Sequence, residues 1–419
     1  MEVLVRGTGG AAGWPEAGCR CASCLRADGH TRKRSTVRIG AVVLGVAGVE
    51  GRGERNERSA EGGGKAAGGY REWELARAGT AGYRVRELAD AGGGGEVGGW
   101  EVTGPDGGRV LYPARPGAVP VPPDGAAAYD VAFLDVLGDP TQLGRLRREG
   151  LITADTIVAA AFADHRAPGE AELRRRCGFW HVLVPADGDR FTTVRSDENE
   201  SAGAARAVPW RVLVLGGARS GKSEEAELRL AGEPDVTYVA TGPDGIGDPE
   251  WAARVAAHRA RRPGWWRTVE TTDLAAVLGS ARGGVLIDGI GTWLAAVMDE
   301  CGAWDGGEAG GARGAGGAGT SGGAGTSGSA GAEGLAGTSG SAGAEGLAER
   351  IAGVVAAWRQ TRAHVVAVSD EVGLGVVPET AAGRRFRDEL GRLNQALAAE
   401  SEEAEIVVAG RVLALGSLG

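Results

Sequence analysis

The residues best suited to do chemistry form one glycine-rich stretch with the spacing G-x-x-x-x-G-K-S over 216–223. An apolar run at 211–215 precedes it and a helix-forming run follows, which is the order of a phosphate-binding loop. Loop N–H groups surround a phosphate, the lysine reaches the outer phosphates, and the serine can ligate Mg²⁺. The stretch predicts nucleoside triphosphate binding. The alternative is a chance glycine turn before a helix. The predicted binding residues are Gly216, Gly217, Ala218, Arg219, Ser220, Gly221, Lys222 and Ser223.

A histidine followed by a basic run forms the second candidate site. His258 lies on a helix predicted over 249–261, and Arg259, Arg261 and Arg262 follow it. An imidazole can attack phosphorus while neighbouring guanidinium groups neutralise the developing charge. The alternatives are a packed histidine and a solvated basic helix end.

An aspartate at the end of a strand supplies a third candidate. Asp288 closes the apolar run 285–288, where phosphate-binding-loop enzymes place a carboxylate that holds Mg²⁺ through water. Together with Ser223 it forms the predicted magnesium site. The alternative is that Asp288 caps the following helix.

Three cysteines near the N-terminus predict a metal site. Cys19, Cys21 and Cys24 lie within six residues, and His165 or His181 could supply a fourth ligand. The alternative is that the three cysteines are small core residues.

Length and composition limit the class of protein. At 419 residues the chain suits two domains, and its net charge of −9 and pI near 5.3 argue against nucleic acid as a partner. No apolar run approaches the roughly 18 residues that span a bilayer, and the N-terminus lacks the pattern of a signal peptide. We expect a cytoplasmic protein without a membrane span.

The pattern along the chain predicts an α/β fold in the C-terminal half. A composition shift at 196–207 predicts a boundary between domains at 1–200 and 209–419. Beyond it, apolar runs alternate with helical periodicity, which predicts a parallel sheet with flanking helices. The expected strands lie at 211–215, 236–240, 266–270, 284–288, 364–369 and 405–409. The expected helices lie at 222–231, 249–261, 272–280, 291–300, 347–362 and 379–400. A glycine-rich stretch at 302–346, which contains a tandem repeat, predicts a flexible insertion.

Blocks of the C-terminal half, taken in order, resemble one family. The resemblance covers about 210–416 apart from the insertion, and its blocks lie at 216–223, 238–241, 252–263, 266–270, 288–294, and 371–379 with 383–395. The family is the bifunctional adenosylcobinamide kinase and adenosylcobinamide-phosphate guanylyltransferase of cobalamin biosynthesis. The resemblance implies a P-loop NTPase-like fold that uses GTP, ATP and Mg²⁺. It also implies a homo-oligomer, a trimer in the family.

The resemblance implies two reactions and a role for each matching residue. The γ-phosphoryl group moves to adenosylcobinamide, with Lys222 as a catalytic residue. GMP then passes from GTP through a guanylylated His258 to adenosylcobinamide phosphate, which gives adenosylcobinamide-GDP. Positions implied to contact the guanine nucleotide or its metal are Thr241, Gly242, Pro243, Arg259, Ala260, Arg261, Arg262, Glu270 and Asp288.

Two positions depart from the family pattern. Family members commonly show two adjacent histidines, or one, before the basic stretch; here Ala257 precedes His258, which leaves His258 as the only candidate nucleophile. Asp370 stands where the family usually has asparagine, which leaves the role of that turn open.

The opening of the N-terminal half, 7–24, resembles metallo-β-lactamase-fold phosphodiesterases, and 129–190 does so more weakly. The catalytic H-x-H-x-D-H of that fold is absent, and His30, His165 and His181 are the only histidines before residue 258. A two-metal hydrolase cannot be assembled from them. The resemblance implies a degenerate, non-catalytic α/β domain with one structural Zn²⁺ held by Cys19, Cys21, Cys24 and His165.

Two other functions remain open from the residues. A P-loop NTPase switch with an N-terminal interaction module would hydrolyse nucleotide without a corrinoid acceptor. A metal-dependent phosphodiesterase with a regulatory nucleotide site is weakened by the missing histidines.

Overall fold

The computed structural model describes residues 1–27, 29, 31–46, 48–50, 72–74, 82–193, 210–242, 249–304 and 336–416. Several sequence predictions lie outside these residues: His30, Pro243, the boundary at 196–207 and most of the predicted insertion. No helix within the described segments is both long enough and apolar enough to cross a membrane.

The chain divides into two compact units. The first comprises Met1–Val208 with Glu227–Val236, and the second comprises Pro209–Ala226 with Thr237–Gly419. The predicted domains at 1–200 and 209–419 follow the same division except for the short segment 227–236, which groups with the N-terminal residues.

Within its described residues the first unit has two sheets. The first sheet is antiparallel, in the order β12-β1-β2-β3-β4, with β1 Glu2–Gly7, β2 Thr36–Ile39, β3 Val42–Gly45, β4 Gly48–Glu50 and β12 Arg190–Thr192. The second is mixed, in the order β11-β10-β8-β7-β6-β5 with β9 beside β6. Its strands are β5 Glu72–Glu74, β6 Arg84–Asp90, β7 Val97–Thr103, β8 Arg109–Pro113, β9 Pro120–Val121, β10 Val131–Leu134 and β11 Ile157–Ala160.

Both faces of the second sheet are covered. Phe133 shares a core with Val5 and Ile39 of the first sheet, whereas its neighbour Leu134 packs in a separate core that includes Leu146. Alternate residues of a strand point to opposite faces, so β10 contributes to both cores. The helices of this unit are α1 Ala22–Leu25, α2 Thr141–Arg148 and α3 Glu170–Phe179.

The second unit contains one sheet in the order β15-β14-β16-β17-β13-β18-β19, counted over its described residues. The strands are β13 Arg211–Gly216, β14 Val236–Ala240, β15 Arg267–Glu270, β16 Gly284–Asp288, β17 His364–Asp370, β18 Glu403–Val408 and β19 Arg411–Ala414. All six predicted strands are present. The seventh, β19, was not predicted and pairs antiparallel with β18.

Helices flank this sheet and confirm the predicted parallel α/β arrangement. They are α4 Lys222–Leu230, α5 Pro249–Arg261, α6 Leu274–Ser280, α7 Ile290–Cys301, α8 Ala336–Gln360 and α9 Ala381–Ala399. Consecutive residues of β13, Val212 to Val214, are fully buried, as expected for a strand covered on both faces. Trp293 and Trp358 are the largest fully buried side chains in the hydrophobic core of the second unit.

The flexible insertion predicted over 302–346 is wrong at its two described ends. Helix α8 begins at Ala336 and includes the second copy of the tandem repeat. Ala303 is 1% exposed and Leu347 is 2% exposed, and both belong to the core. Burial of Leu347 stabilises helix α8, which the glycine content alone disfavours.

Candidate functional site

The glycine-rich loop connects β13 to α4 in a tight turn. A Cβ atom on Gly216 would lie 2.5 Å from Ser220 Oγ and 2.8 Å from Val407 O, so no larger residue fits there without movement. Gly221 has φ +100, a conformation that L-residues rarely adopt. Helix α4 begins at Lys222, which places its N-terminal N–H groups at the loop, as a phosphate site requires.

Lys222 points along this loop and is largely buried. Its Nζ donates to Gly217 O at 3.1 Å and lies 2.8 Å from Asp370 Oδ1. Asp370 ends β17, the strand that pairs with β13. Because parallel strands end at the same edge of the sheet, the ends of β13, β16 and β17 bring their polar residues together.

Asp288, at the end of β16, is the centre of a small hydrogen-bond network. Its Oδ1 accepts from Ser223 Oγ at 3.2 Å, and its Oδ2 accepts from Tyr238 OH at 2.7 Å. The same Oδ2 lies 3.0 Å from His258 Nδ1. Burial favours a higher pKa for Asp288, but the hydrogen bonds from His258, Tyr238 and Ser223 outweigh it and hold the pKa below its ordinary value. Asp288 is therefore a carboxylate at neutral pH.

An ionised Asp288 fixes the proton arrangement of His258. A carboxylate can only accept, so Nδ1 of His258 must carry the proton of their hydrogen bond. When the ring is neutral, Nε2 then carries the free lone pair. Arg262 holds the end of α5 in place, because its Nε donates to His258 O at 3.0 Å and its guanidinium lies 3.5 Å from the centroid of the Tyr238 ring.

Two of the predicted arginines make exposed ion pairs. Arg259 lies 3.0 Å from Glu270, with both side chains more than half exposed, and Arg261 lies 3.3 Å from Glu224. Exposed pairs of this kind contribute at most about 1 kcal/mol, so a phosphate group can replace the carboxylate partner at low cost.

The loop, Asp288 and His258 line one cleft of about 720 Å³. It brings together most of the predicted site: Ala218, Arg219, Ser220, Gly221, Lys222, Ser223, Gly242, His258, Arg259, Arg261, Arg262, Glu270 and Asp288. Among the predicted nucleotide-binding residues that the structure describes, four do not line it, namely Gly216, Gly217, Thr241 and Ala260. Thr241 is 4% exposed and donates to Gly289 O at 2.7 Å, so it supports the cleft wall.

Sequence reasoning missed several lining residues. Tyr238 lies in the matching block 238–241 without an assigned role, and the sequence did not predict the contact of Asp370 with Lys222. Gly410, in the turn between β18 and β19, also lines the cleft, and its N–H donates to Ser220 O at 2.8 Å. The only local signal for that turn is the glycine itself.

The cysteine cluster lies in the first unit. Ligand atoms of Cys19, Cys21, Cys24 and His165 all lie within 4.8 Å of one another. Cys21 caps α1, and its Sγ accepts from the Cys24 N–H at 3.4 Å. Burial raises the pKa of Cys24 to about 11, whereas the hydrogen bond from the Cys24 backbone is the main cause of a lowered pKa at Cys21. Three sulfurs and an imidazole are a ligand set suited to Zn²⁺.

Comparison with known proteins points to one group of enzymes. Residues 212–415 match the family described as cobinamide kinase / cobinamide phosphate guanyltransferase. The bifunctional adenosylcobalamin biosynthesis proteins CobU of Salmonella typhimurium and of Escherichia coli K12 are each 33% identical to this chain over 208 and 209 residues, which is 48% of this chain and 96% of each relative. The bifunctional adenosylcobalamin biosynthesis protein CobP of Pseudomonas aeruginosa is 36% identical over 208 residues, 48% of this chain and 94% of the relative.

Proposed function

Because the chain belongs to the cobinamide kinase / cobinamide phosphate guanyltransferase family, we propose that its second unit carries out both reactions on a corrinoid. In the first, the hydroxyl of adenosylcobinamide attacks the γ-phosphorus of a nucleoside triphosphate. The nucleoside diphosphate leaves, and the hydroxyl proton is released. In the second, GMP is transferred from GTP to adenosylcobinamide phosphate to give adenosylcobinamide-GDP, and pyrophosphate leaves.

Phosphoryl transfer needs chiefly positioning and charge neutralisation. The loop N–H groups and Lys222 would hold the phosphates of GTP or ATP. Ser223 Oγ and Asp288 Oδ1, 3.2 Å apart, are oxygen donors of the kind that Mg²⁺ prefers, so these residues would hold that ion. Mg²⁺ supplies further charge neutralisation when it is bound.

His258 is suited to the guanylyl step. Its Nε2 attacks the α-phosphorus of GTP, and the bond to pyrophosphate breaks. Asp288 keeps the proton on Nδ1 and stabilises the ring as it gains positive charge. A phosphate oxygen of adenosylcobinamide phosphate then attacks the same phosphorus, and the N–P bond breaks to restore the neutral ring. Arg259, Arg261 and Arg262 line the cleft where phosphate charge would lie.

The observation that carries this proposal is the contact between His258 Nδ1 and Asp288 Oδ2 in the cleft that Lys222 also lines. The test is incubation with α-labelled GTP, followed by acid and base treatment of the denatured protein. We expect an acid-labile, base-stable label on the wild type and none on His258→Ala. His364→Gln, outside the cleft, is the matched histidine control and should label normally.

An unlabelled wild type that still hydrolyses GTP would overturn the proposal and favour the NTPase switch. Addition of adenosylcobinamide phosphate to the labelled protein should discharge the label as adenosylcobinamide-GDP. The homo-oligomer, a trimer by family resemblance, and a cytoplasmic location stay predictions. Light scattering of the purified protein tests the first.

We also propose that Cys19, Cys21, Cys24 and His165 hold one structural Zn²⁺ in the first unit, whose degenerate metallo-β-lactamase-like fold stays a prediction. The short distances between the ligand atoms of these four residues support the zinc site. The lowered pKa of Cys21 also supports it, because it favours the thiolate form that binds metal. Elemental analysis should find one zinc per chain in the wild type. The Cys21→Ser variant should lose this zinc and melt at a lower temperature. Cys301→Ser is the control. A zinc-free wild type, or unchanged zinc in Cys21→Ser, would contradict the proposal.

A further inference from the structure

The lysine of the phosphate-binding loop already has a carboxylate partner. Lys222 Nζ lies 2.8 Å from Asp370 Oδ1 in the cleft that both residues line. The side chain of Lys222 is 14% exposed and that of Asp370 is 42% exposed. A negatively charged oxygen therefore lies against the ammonium group that would contact the outer phosphates of a nucleotide.

The fold anchors Asp370 beside the loop. It is the last residue of β17 and pairs in register with Gly216, the first loop glycine. The N–H of Glu371 donates to Gly216 O at 3.2 Å, and Asn394 Nδ2 donates to Asp370 O at 3.1 Å. Since the backbone is held on both sides, the sheet keeps the start of this side chain within reach of Lys222.

A carboxylate in this place differs from an amide in one decisive respect. An asparagine, the residue expected from the family pattern, would offer Lys222 an uncharged oxygen of similar size. A charged oxygen competes with phosphate for the same ammonium group, and it also repels phosphate oxygens that approach. The large exposed fraction of Asp370 leaves the side chain free to turn towards water once the contact is lost.

We propose that Asp370 is a built-in competitor of nucleotide phosphate. Its carboxylate occupies Lys222 in the nucleotide-free state and gives up that contact when the β- and γ-phosphates bind. The inference rests on the proposed binding of GTP to this loop. Asp370 thus weakens GTP binding and raises KM, while the reactive complex and kcat stay nearly unchanged. For an ion pair of this exposure the expected effect is about two- to fivefold in Kd.

The experiment compares Asp370→Asn with the wild type by calorimetric titration of guanosine, GMP, GDP and GTP. We expect an about two- to fivefold lower Kd for GDP and GTP in the variant and no change for guanosine and GMP, which lack the outer phosphates. Asp388→Asn removes the same charge from α9, where the carboxylate contacts Arg387, and should bind all four ligands as the wild type does. Asp370→Thr, checked by thermal melting, is the second variant in case Asp370→Asn folds poorly.

The outcomes separate this inference from the proposed function. Equal or weaker GTP binding by both folded variants, with normal binding by the wild type, overturns the inference alone. A gain that also appears with guanosine overturns it, since that gain would come from a change of cleft shape. A wild type that binds no GTP overturns the inference together with the proposed function.

Discussion

The sharpest consequence of the site geometry concerns Asp288→Asn. This change keeps the size of the side chain but removes the charge that holds the Nδ1 proton of His258. An asparagine can turn its NH₂ group towards Nδ1, and the ring proton then moves to Nε2, the atom that should attack GTP. The variant should therefore form guanylyl-histidine slowly even though His258 is still present.

The magnitude follows from the bonds that are lost. A hydrogen bond to a charged group contributes about 1.5–3 kcal/mol, which corresponds to roughly 10- to 150-fold in rate. Tautomer reversal adds to this, and an aspartate-to-asparagine change beside a catalytic histidine can lower a rate by about 10⁴-fold. We expect a fall of about 10²- to 10⁴-fold in the guanylylation rate.

Tyr238→Phe is the matched control, because Tyr238 OH donates to the same oxygen of Asp288. It leaves the carboxylate charge and the bond to His258, so the rate should fall by less than about tenfold. The assay is single-turnover incorporation from α-labelled GTP, with the labelled nitrogen assigned by NMR. Wild-type label should lie on Nε2. Label on Nδ1, or an Asp288→Asn rate equal to the wild type, would refute the reasoning.

Three other changes test the phosphate-binding loop, the core of the second unit and an ion pair of the first unit. Gly216→Ala places a methyl group 2.5 Å from a loop hydroxyl and 2.8 Å from the backbone oxygen of Val407, so it should weaken GTP binding by about tenfold or more in calorimetry and also lower the melting temperature. Trp358→Ala removes a fully buried side chain and should lower the free energy of unfolding by about 3–5 kcal/mol, whereas Trp210→Ala, 41% exposed in the wild type, should cost under about 1 kcal/mol in the same denaturant titrations. Glu170 has a pKa below its ordinary 4.5. Burial acts to raise this pKa, but the ion pair with the buried Arg32 outweighs that effect. The stabilisation that the ion pair gives is therefore complete above pH 4.5 and is lost as the pH falls through the lowered pKa. Unfolding of Glu170→Gln should therefore be less dependent on pH in this acid range and the variant less stable at pH 7; an unchanged acid profile would contradict this.

Much of the second unit could be predicted because its signals are local. The apolar run at 284–288 and the loop at 216–223 each encode their structure within a few residues. The missed hairpin of β18 and β19 shows the limit. Its turn has Ala409 at φ +49 and Gly410 at φ +70, the pair of positive angles that a two-residue hairpin turn requires. Alanine is rare in such a position, so sequence pattern did not indicate the turn.

The contacts that organise the cleft could not be predicted, because they join residues far apart in the chain. Asp370 reaches Lys222 across 148 positions only because β17 lies beside β13. Tyr238 reaches Asp288 from the neighbouring strand β14. Residue types alone left Asp288 open to a magnesium or a capping role, and its contact with His258 was not among the alternatives.

The two oxygens of Asp288 face different parts of the chemistry, which makes the two activities separable in one direction only. Oδ1 faces Ser223 of the phosphate-binding loop, and Oδ2 faces His258. His258→Ala removes the nucleophile but leaves Ser223, Lys222 and the charge of Asp288 in place, so the kinase reaction should continue while guanylylation stops. Asp288→Asn alters both contacts and should impair both reactions. The test is to measure adenosylcobinamide phosphorylation and histidine labelling in parallel for both variants. A His258→Ala variant that loses both activities while it still binds GTP normally would contradict this arrangement.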